Sequence, residues 1–242
     1  MSTTAWQAAR LAARRAALSK GPARRPAPAP AREEPLLIPP VRTAPGRVVT
    51  FMPFALDYNL GGAYNQAMEL LGEDDWAVFL DHDAIWTTRE WYRQLEEVTR
   101  AVPDAGCVTA VQSRGWQQWQ VGPYDGHDMA VNRRIGAAML ARRTLLDVTD
   151  TSGIAGVVML VSKRAWRSVG GYPDGMYCVD HAFHFALRAA GLRVYVHEGL
   201  YVYHWRRANG DAPPRQAPRA PGCPCSEIRL TEAPPTVRVQ LP

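Results

Sequence analysis

Two carboxylates follow an apolar segment near the middle of the sequence. Residues 76–80 (WAVFL) are entirely apolar, and Asp81 and Asp83 come after them. On an extended chain, side chains two residues apart point to the same side. Neighbouring carboxylates repel each other unless a cation lies close to them, and hard oxygen ligands suit Mg²⁺ or Mn²⁺. The spacing therefore predicts a divalent metal site at Asp81 and Asp83, with a polar loop after a strand as the alternative.

A segment rich in glycine and asparagine precedes these acids. Asn59, Gly61 and Asn65 lie between a predicted strand and a predicted helix. Glycine lets the backbone approach a ligand closely, and the start of a helix offers free N–H groups. The segment is therefore a candidate for ligand binding, with an ordinary strand-to-helix turn as the alternative.

Three further polar residues lie downstream, at the predicted ends of other elements. Asp180 begins a predicted helix, where it can cap that helix or act as a general base in a cleft. His204 follows an apolar segment and can supply a nitrogen ligand to the same metal, with a purely structural histidine as the alternative. Arg207 or Arg206 can neutralise a diphosphate group.

Apolar strands and amphipathic helices alternate through the centre of the chain. This alternation predicts an α/β fold, a sandwich of helices around a mainly parallel sheet. In such folds ligands bind beyond the carboxyl ends of the strands. The predicted strands are 47–54, 76–80, 107–111, 156–162, 192–197 and 200–204. The predicted helices are 62–72, 87–101, part of 127–147, 163–168 and 180–190.

The flanking segments differ in composition from the central domain, which we predict at 47–207. Residues 1–46 form a basic arm rich in Pro, Arg and Ala, and residues 208–242 form a Pro-rich tail. The net charge of the chain is +5, and segment 1–47 alone carries +7, so the central part is mildly acidic. A basic arm suits a polyanion or an anionic membrane surface, with a disordered leader as the alternative.

The distribution of apolar residues bears on location. No run of eighteen apolar residues occurs in the sequence, so no transmembrane span is predicted. The first residues lack the apolar stretch of a secretory signal. These features predict a cytoplasmic protein.

Taken together, the motifs resemble those of the family 2 glycosyltransferases with the GT-A fold. The matching motifs are N-L-G-x-A-Y-N at 59–65, L-D-H-D-A at 80–84, G-G-Y at 170–172, and H-W-R-R at 204–207. The resemblance covers the whole central domain and implies a GT-A-like, Rossmann-like sandwich of three layers. It also implies inverting transfer of a sugar from a nucleotide-sugar donor, with a UDP-sugar as the first candidate. The acceptor hydroxyl can belong to a glycan, a protein or a modified nucleic acid.

The resemblance also implies a role for each motif residue. Asp83 would bind Mn²⁺ or Mg²⁺ directly, His204 would complete the metal shell, and Asp180 would deprotonate the acceptor hydroxyl. Asp81 would hold the donor ribose or a metal-bound water. The implied donor-binding set is Pro53, Asp57, Asn59, Gly61, Asn65, Asp81 and Arg207.

The sequence departs from the family at two places. The family normally has a helix and a second strand ahead of the N-L-G segment, whereas here only Asp57 and Tyr58 separate that segment from PFAL at 53–56. The nucleotide-binding half is therefore abbreviated, and Asp57 is the candidate for its acidic residue. Val179 stands where the family often has a second acid before Asp180.

Two other functions fit parts of the sequence. Aspartyl-phosphate phosphohydrolases also carry D-x-D after an apolar strand and use the first acid, here Asp81, as a nucleophile. They usually have Thr or Val at the position that Ile85 occupies here. A protein that binds nucleic acid through its basic arm would explain residues 1–47, and a transferase acting on modified DNA would combine both features.

Overall fold

The computed structural model describes residues 46–206, 218–221 and 235–242. Arg207, nearly all of the basic arm and most of the Pro-rich tail lie outside these residues. The strands are β1 (Val48–Phe51), β2 (Trp76–Leu80), β3 (Ala84–Trp86), β4 (Ala105–Gln112), β5 (Thr144–Asp147), β6 (Val158–Ser162), β7 (Arg193–His204) and β8 (Arg238–Gln240). The α-helices are α1 (Leu60–Glu69), α2 (Trp91–Ala101), α3 (Met129–Met139), α4 (Lys163–Ser168) and α5 (Val179–Ala189). A short 3₁₀ turn spans Gln118–Gln120.

The strands form one mixed sheet in the order β1-β2-β6-β4-β7-β5-β8, and β3 pairs with β7 off this path. β1, β2, β4 and β7 run in the same direction, but β6 lies antiparallel between β2 and β4. Only two of the seven pairings between described strands are parallel. The prediction of a mainly parallel sheet is therefore wrong, because a shared strand direction does not determine which strands are neighbours. The four aligned strands still end at one edge of the sheet.

Helices cover both faces of this sheet, so the prediction of an α/β fold is confirmed. Along β2, Ala77 and Phe79 pack in a core cluster with residues of α1, α4 and α5. Val78 and Leu80 pack in a second cluster with residues of α2. A strand covered on both faces has no solvent side, which explains why 76–80 is a continuous apolar run. Among the described helices, none has the length and apolar character needed to cross a membrane.

The helix predicted at 87–101 begins later in the structure. Residues Ala84–Trp86 form β3, and α2 starts only at Trp91. Thr87, which the sequence favours as a helix cap, instead donates a hydrogen bond of 2.5 Å to the carbonyl oxygen of Tyr201. Pairing of β3 with β7 therefore overrides the local capping signal, and this pairing places the site described below.

The folded domain extends beyond the predicted boundary at 207. β8, in the predicted tail, pairs antiparallel with β5, and Arg238 forms an ion pair with Glu198 of β7. The side chains of Ala220 and Leu241 are buried in the two core clusters. The boundary was misplaced because these short segments are ordered by contacts with distant strands, which local composition does not encode.

Candidate metal site and adjoining cavity

The pairing of β3 with β7 brings Asp83 and His204 together. Ala84 lies opposite His204 in the antiparallel register, and the Trp205 backbone N–H donates to the Asp83 carbonyl oxygen at 2.9 Å. The Nε2 atom of His204 consequently lies 3.5 Å from the Oδ1 atom of Asp83. The proximity of Asp83 and His204 depends on β7, which is one continuous strand in the structure. The sequence instead predicts two strands, at 192–197 and 200–204.

Asp81 completes a group of three possible metal ligands. The backbone N–H of Asp81 donates to the Val157 carbonyl oxygen at 3.0 Å, which fixes the chain where β2 ends. One ligand atom each from Asp81, Asp83 and His204 lies within 4.8 Å of the others. Ligands that share one Mg²⁺ or Mn²⁺ at about 2.1 Å lie about 3–4 Å apart, so small side-chain movements suffice to bind an ion. The structure therefore brings the three predicted metal ligands together.

The environment of the His204 ring selects the nitrogen that faces the acids. The Nδ1 atom of His204 lies 2.9 Å from the carbonyl oxygen of Arg114, and a carbonyl oxygen only accepts hydrogen bonds. Nδ1 therefore carries the proton, and in the neutral ring Nε2 presents its lone pair towards Asp83. The hydroxyl of Ser113 accepts from the His204 backbone N–H at 3.0 Å and holds the residue in place. This orientation suits a nitrogen ligand.

The charges at this site influence one another strongly. Burial raises the pKa of Asp81 to about 7, an effect that His204 opposes and that Asp83 and Asp180 increase. The hydrogen bond from His204 lowers the pKa of Asp83. Burial lowers the pKa of His204, but its hydrogen bonds with Asp83 and with the Arg114 carbonyl outweigh burial, so the net pKa is raised. Several acids in a confined space are the electrostatic environment that a divalent cation relieves.

A cavity of about 590 Å³ opens beside Asp81 and also contains Asp180. The two acids therefore share one space, as the sequence predicts for a metal site and a general base. Neither Asp83 nor His204 lines this cavity. The lining residues are Leu60, Tyr64, Asp81, Trp116, Gln117, Ala155, Gly156, Met176, Tyr177, Cys178, Val179, Asp180, His181 and Arg219.

Asp180 is held by a loop and by the first turn of its own helix, where its Oδ1 atom accepts from the His181 backbone N–H at 2.9 Å. The N-cap of α5 is Cys178, and Asp180 lies in the first turn of that helix. Its Oδ2 atom accepts a hydrogen bond of 2.8 Å from the backbone N–H of Gly156. The side-chain amide of Gln120 in turn bonds both backbone groups of Ala155, accepting from its N–H at 2.8 Å and donating to its carbonyl oxygen at 3.1 Å. Gln120 is fully buried, so this chain of contacts fixes the position of the carboxylate.

Two of the predicted donor-binding residues hold a distant loop instead of facing the cavity. The side-chain oxygen of Asn59 accepts from the backbone N–H groups of Gly62 and Gly175 at 2.9 and 3.0 Å. The side chain of Asn65 accepts from the Tyr172 N–H at 2.8 Å and donates to its carbonyl oxygen at 2.9 Å. The two asparagines of the 59–65 motif therefore bind the 170–175 motif, which explains why the structure needs both.

Gly61 serves the same packing of α1 against that loop. Its backbone N–H donates to the Gly175 carbonyl oxygen at 3.1 Å. A Cβ atom on Gly61 would lie 1.8 Å from the Pro173 carbonyl oxygen, so no other residue fits without a backbone shift. Gly61 thus lets α1 approach the protein's own loop closely, whereas the sequence suggests that it lets the backbone approach a ligand.

The other predicted donor-binding residues lie elsewhere or outside the described residues. Asp57 and Asn59 line a separate depression of about 270 Å³, and the Asp57 carboxylate accepts from the Asn59 N–H at 3.0 Å. Pro53 lines neither this depression nor the larger cavity. Arg207 lies outside the described residues, so its predicted contact with a diphosphate stays a prediction.

Two cavity residues, Arg219 and Trp116, are not among the predicted site residues. Arg219 belongs to the predicted tail, and nothing in its local sequence connects it with Asp180. Trp116 is 71% exposed at the cavity, and the guanidinium of Arg206 lies 4.1 Å from its ring centroid. The sequence around Trp116 is compatible with a buried or an exposed side chain, and in the structure the side chain is exposed. Of the two residues, only Trp116 has a recognisable signal in the sequence, a large aromatic side chain within a polar segment.

Comparison with known proteins does not assign a family: no family model matches the chain, and no curated protein is similar to it. The site must therefore be interpreted from its own chemistry. Two carboxylates and an imidazole suit a hard or borderline divalent cation that also binds phosphate oxygens. A third acid, Asp180 in the adjoining cavity, can accept a proton from a bound hydroxyl.

Proposed function

We propose that the protein is a metal-dependent glycosyltransferase that moves a sugar from a nucleotide sugar to an acceptor hydroxyl, in a GT-A-like arrangement of the α/β fold. One observation carries the proposal: Asp81, Asp83 and His204 converge at the sheet edge, and Asp81 shares a cavity with Asp180. Transfer from a sugar diphosphate requires charge stabilisation at the leaving group and activation of the acceptor. The two halves of this site correspond to those two requirements.

The first half would bind the cation and the diphosphate. Asp83 and His204 would hold the ion, with Asp81 as a third ligand or as the contact to the donor ribose. A bound Mn²⁺ or Mg²⁺ supplies Lewis-acid stabilisation of the negative charge that develops on the leaving diphosphate. The Arg114 carbonyl would keep the His204 ring oriented, since its hydrogen bond fixes the proton on Nδ1.

The second half would activate the acceptor. Asp180 would take the proton of the acceptor hydroxyl as that oxygen attacks the anomeric carbon from the side opposite the diphosphate. The Gly156 N–H bond to Oδ2 and the His181 N–H bond to Oδ1 hold the carboxylate in place, and each oxygen keeps a second lone pair that can accept the proton. A single base and direct displacement give inversion at the anomeric carbon.

Thermal shift with UDP and Mn²⁺ tests the first half. We expect UDP to raise the midpoint of unfolding only when Mn²⁺ or Mg²⁺ is present, because the cation and the diphosphate bind together. Asp83→Asn should abolish this dependence, while the fold stays intact, since Asn keeps the size of the side chain. Asp150→Asn is a matched control, because Asp150 is exposed and forms only a surface ion pair with Arg188.

The outcomes separate the proposal from its rivals. A UDP shift that is independent of metal, or one that survives in Asp83→Asn, would refute the metal role. Hydrolysis of p-nitrophenyl phosphate by the wild type, without release of UDP from any UDP-sugar, would favour an aspartyl-phosphate phosphohydrolase. Metal-dependent release of UDP from a UDP-sugar, faster with an acceptor present, would support transfer directly.

A further inference from the structure

The segment 218–221 forms part of the cavity wall rather than a free tail. The backbone N–H groups of Met176 and Tyr177 both donate to the Pro218 carbonyl oxygen, at 2.7 and 3.2 Å. The Ala220 N–H donates back to the Tyr177 carbonyl oxygen at 2.9 Å. The segment is therefore joined to the backbone just ahead of α5, the helix that carries Asp180.

Close packing reinforces this junction. Ala220 is buried in the same core cluster as the helix residue Phe183. Gly175 has a φ of +132°, and a Cβ atom there would lie 2.7 Å from the Ala220 backbone N. The turn at Gly175 is thus shaped to receive the segment. The backbone of Arg219 is thus fixed between the bonded Pro218 and the buried Ala220, and its exposed side chain lines the cavity.

Arg219 is the cation among the residues that line this cavity, where the acids are Asp81 and Asp180. None of the ion pairs between described residues uses Arg219. Its side chain lies close enough to Cys178 for its charge to lower the pKa of that thiol, against the larger opposite effect of burial. Arg219 therefore lies near the start of α5 and lines the same cavity as Asp180.

We propose that Arg219 binds an oxyanion, a carboxylate or a phosphate group, carried by the acceptor whose hydroxyl lies at Asp180. This inference rests on the proposed function and names its acceptor class: a hydroxyl compound with an acidic group near the reacting oxygen. Two acids make the cavity unfavourable for an anion, and a guanidinium held at its wall restores binding at one place. The donor diphosphate would bind at the metal ligands Asp83 and His204, which do not line this cavity.

The thiol of Cys178 can report the positive charge of Arg219, because both residues line the cavity. Iodoacetate and iodoacetamide alkylate thiols by the same reaction, displacement of iodide by the thiolate sulfur, and differ mainly in charge. We expect the ratio of their rates at Cys178 to fall about three-fold in Arg219→Gln, because the guanidinium no longer attracts the anionic reagent. Peptide mass spectrometry separates Cys178 from Cys107, Cys223 and Cys225.

The control and the salt dependence make the result specific. Arg164→Gln removes an exposed arginine outside this cavity and should leave the ratio unchanged. High salt should remove the preference in the wild type, since the Debye length falls to about 3 Å at 1 M. An equal ratio in wild type and Arg219→Gln would overturn the oxyanion site.

A second arm distinguishes the acceptor from the donor as the source of the anion. We expect the preference for iodoacetate to persist when UDP and Mn²⁺ are saturating, because the diphosphate then lies at the metal ligands. Loss of the preference under these conditions would assign Arg219 to the donor diphosphate and overturn the acceptor assignment. Failure of UDP to bind in the thermal shift would instead refute the proposed function, and the ratio in the protein alone would still test the Arg219 site.

Discussion

The Oδ2 atom of Asp180 accepts a hydrogen bond of 2.8 Å from the backbone N–H of Gly156. This contact joins the first turn of α5 to the loop that precedes β6, and the buried side chain of Gln120 holds the neighbouring residue of that loop. The position of the carboxylate is therefore set by contacts from two other parts of the chain. Two of the predictions below follow from this arrangement.

Asp180→Asn should lower turnover about 10²–10⁴-fold while leaving donor binding nearly unchanged. The amide oxygen of Asn can still accept from the Gly156 N–H, so the fold and the loop stay in place, but the amide takes up no proton. Steady-state rates and the UDP thermal shift, measured on the same preparation, check both halves of this expectation. Normal turnover with a large loss of donor affinity would remove Asp180 from the role of base.

Gln120→Ala should destabilise the protein by about 2–4 kcal/mol, because it leaves both backbone groups of Ala155 unpaired in a buried place. It also removes the hydrogen bond of 2.9 Å to the Thr109 hydroxyl. Urea unfolding measures the change. In folded Gln120→Ala protein, turnover should fall while the KM for the donor is kept, since the loop that positions Asp180 is loosened.

Gln118→Ala is the matched control for this substitution. Gln118 lies on the same 3₁₀ turn but is exposed, so its replacement should change stability by less than about 0.5 kcal/mol. Equal effects of the two substitutions would show that the turn, and not the Ala155 contacts, accounts for the loss.

Two buried histidines should each lower stability as the pH falls from 7 to 5, whereas Asp81 and His204, whose pKa values are raised, act in the opposite direction. Burial lowers the pKa of His184 and of His197 to about 4, from an ordinary value of 6.5. Between these values each of the two histidines binds more protons in the unfolded chain than in the native protein, so the stability that it contributes is present above pH 6.5 and decreases as the pH falls towards 4. Each histidine should contribute a loss of about 2 kcal/mol at pH 5. Urea unfolding at a series of pH values measures the slope.

Single substitutions assign this slope to the buried rings. His184→Gln should remove the contribution of one histidine, a loss of about 2 kcal/mol at pH 5. His82→Gln, at an exposed residue, should keep the full dependence. An unchanged slope in His184→Gln would mean that other groups titrate in this range.

Leu241→Ala should destabilise the protein by about 2–4 kcal/mol, as expected for a buried leucine. The side chain is 3% exposed and packs in the core cluster with Val98 and Leu145. Val237→Ala, only four residues away but 63% exposed, should have an effect below about 0.5 kcal/mol. Equally small effects of both substitutions would show that β8 adds nothing to the stability of the domain.

The strand and helix content follows from local patterns where burial is complete. The strand at 76–80 and the helix at 163–168 have the predicted bounds, because an apolar run and an uninterrupted helical segment leave few alternatives. The helix predicted from 87 was displaced to Trp91 because β3 pairs with a strand more than a hundred residues away. Strand pairing with a distant segment therefore prevails over a local capping signal when both involve the same residues.

The sequence alone determined the α/β class and the identity of three polar residues at strand ends, Asp81, Asp83 and His204. It did so because strand burial and ligand chemistry are properties of short segments. Only the tertiary structure decided that β6 lies between β2 and β4, that the asparagines of 59–65 hold the 170–175 loop, and that Arg219 reaches the cavity of Asp180. These are contacts between residues far apart in the chain, and they depend on the packing of the whole domain.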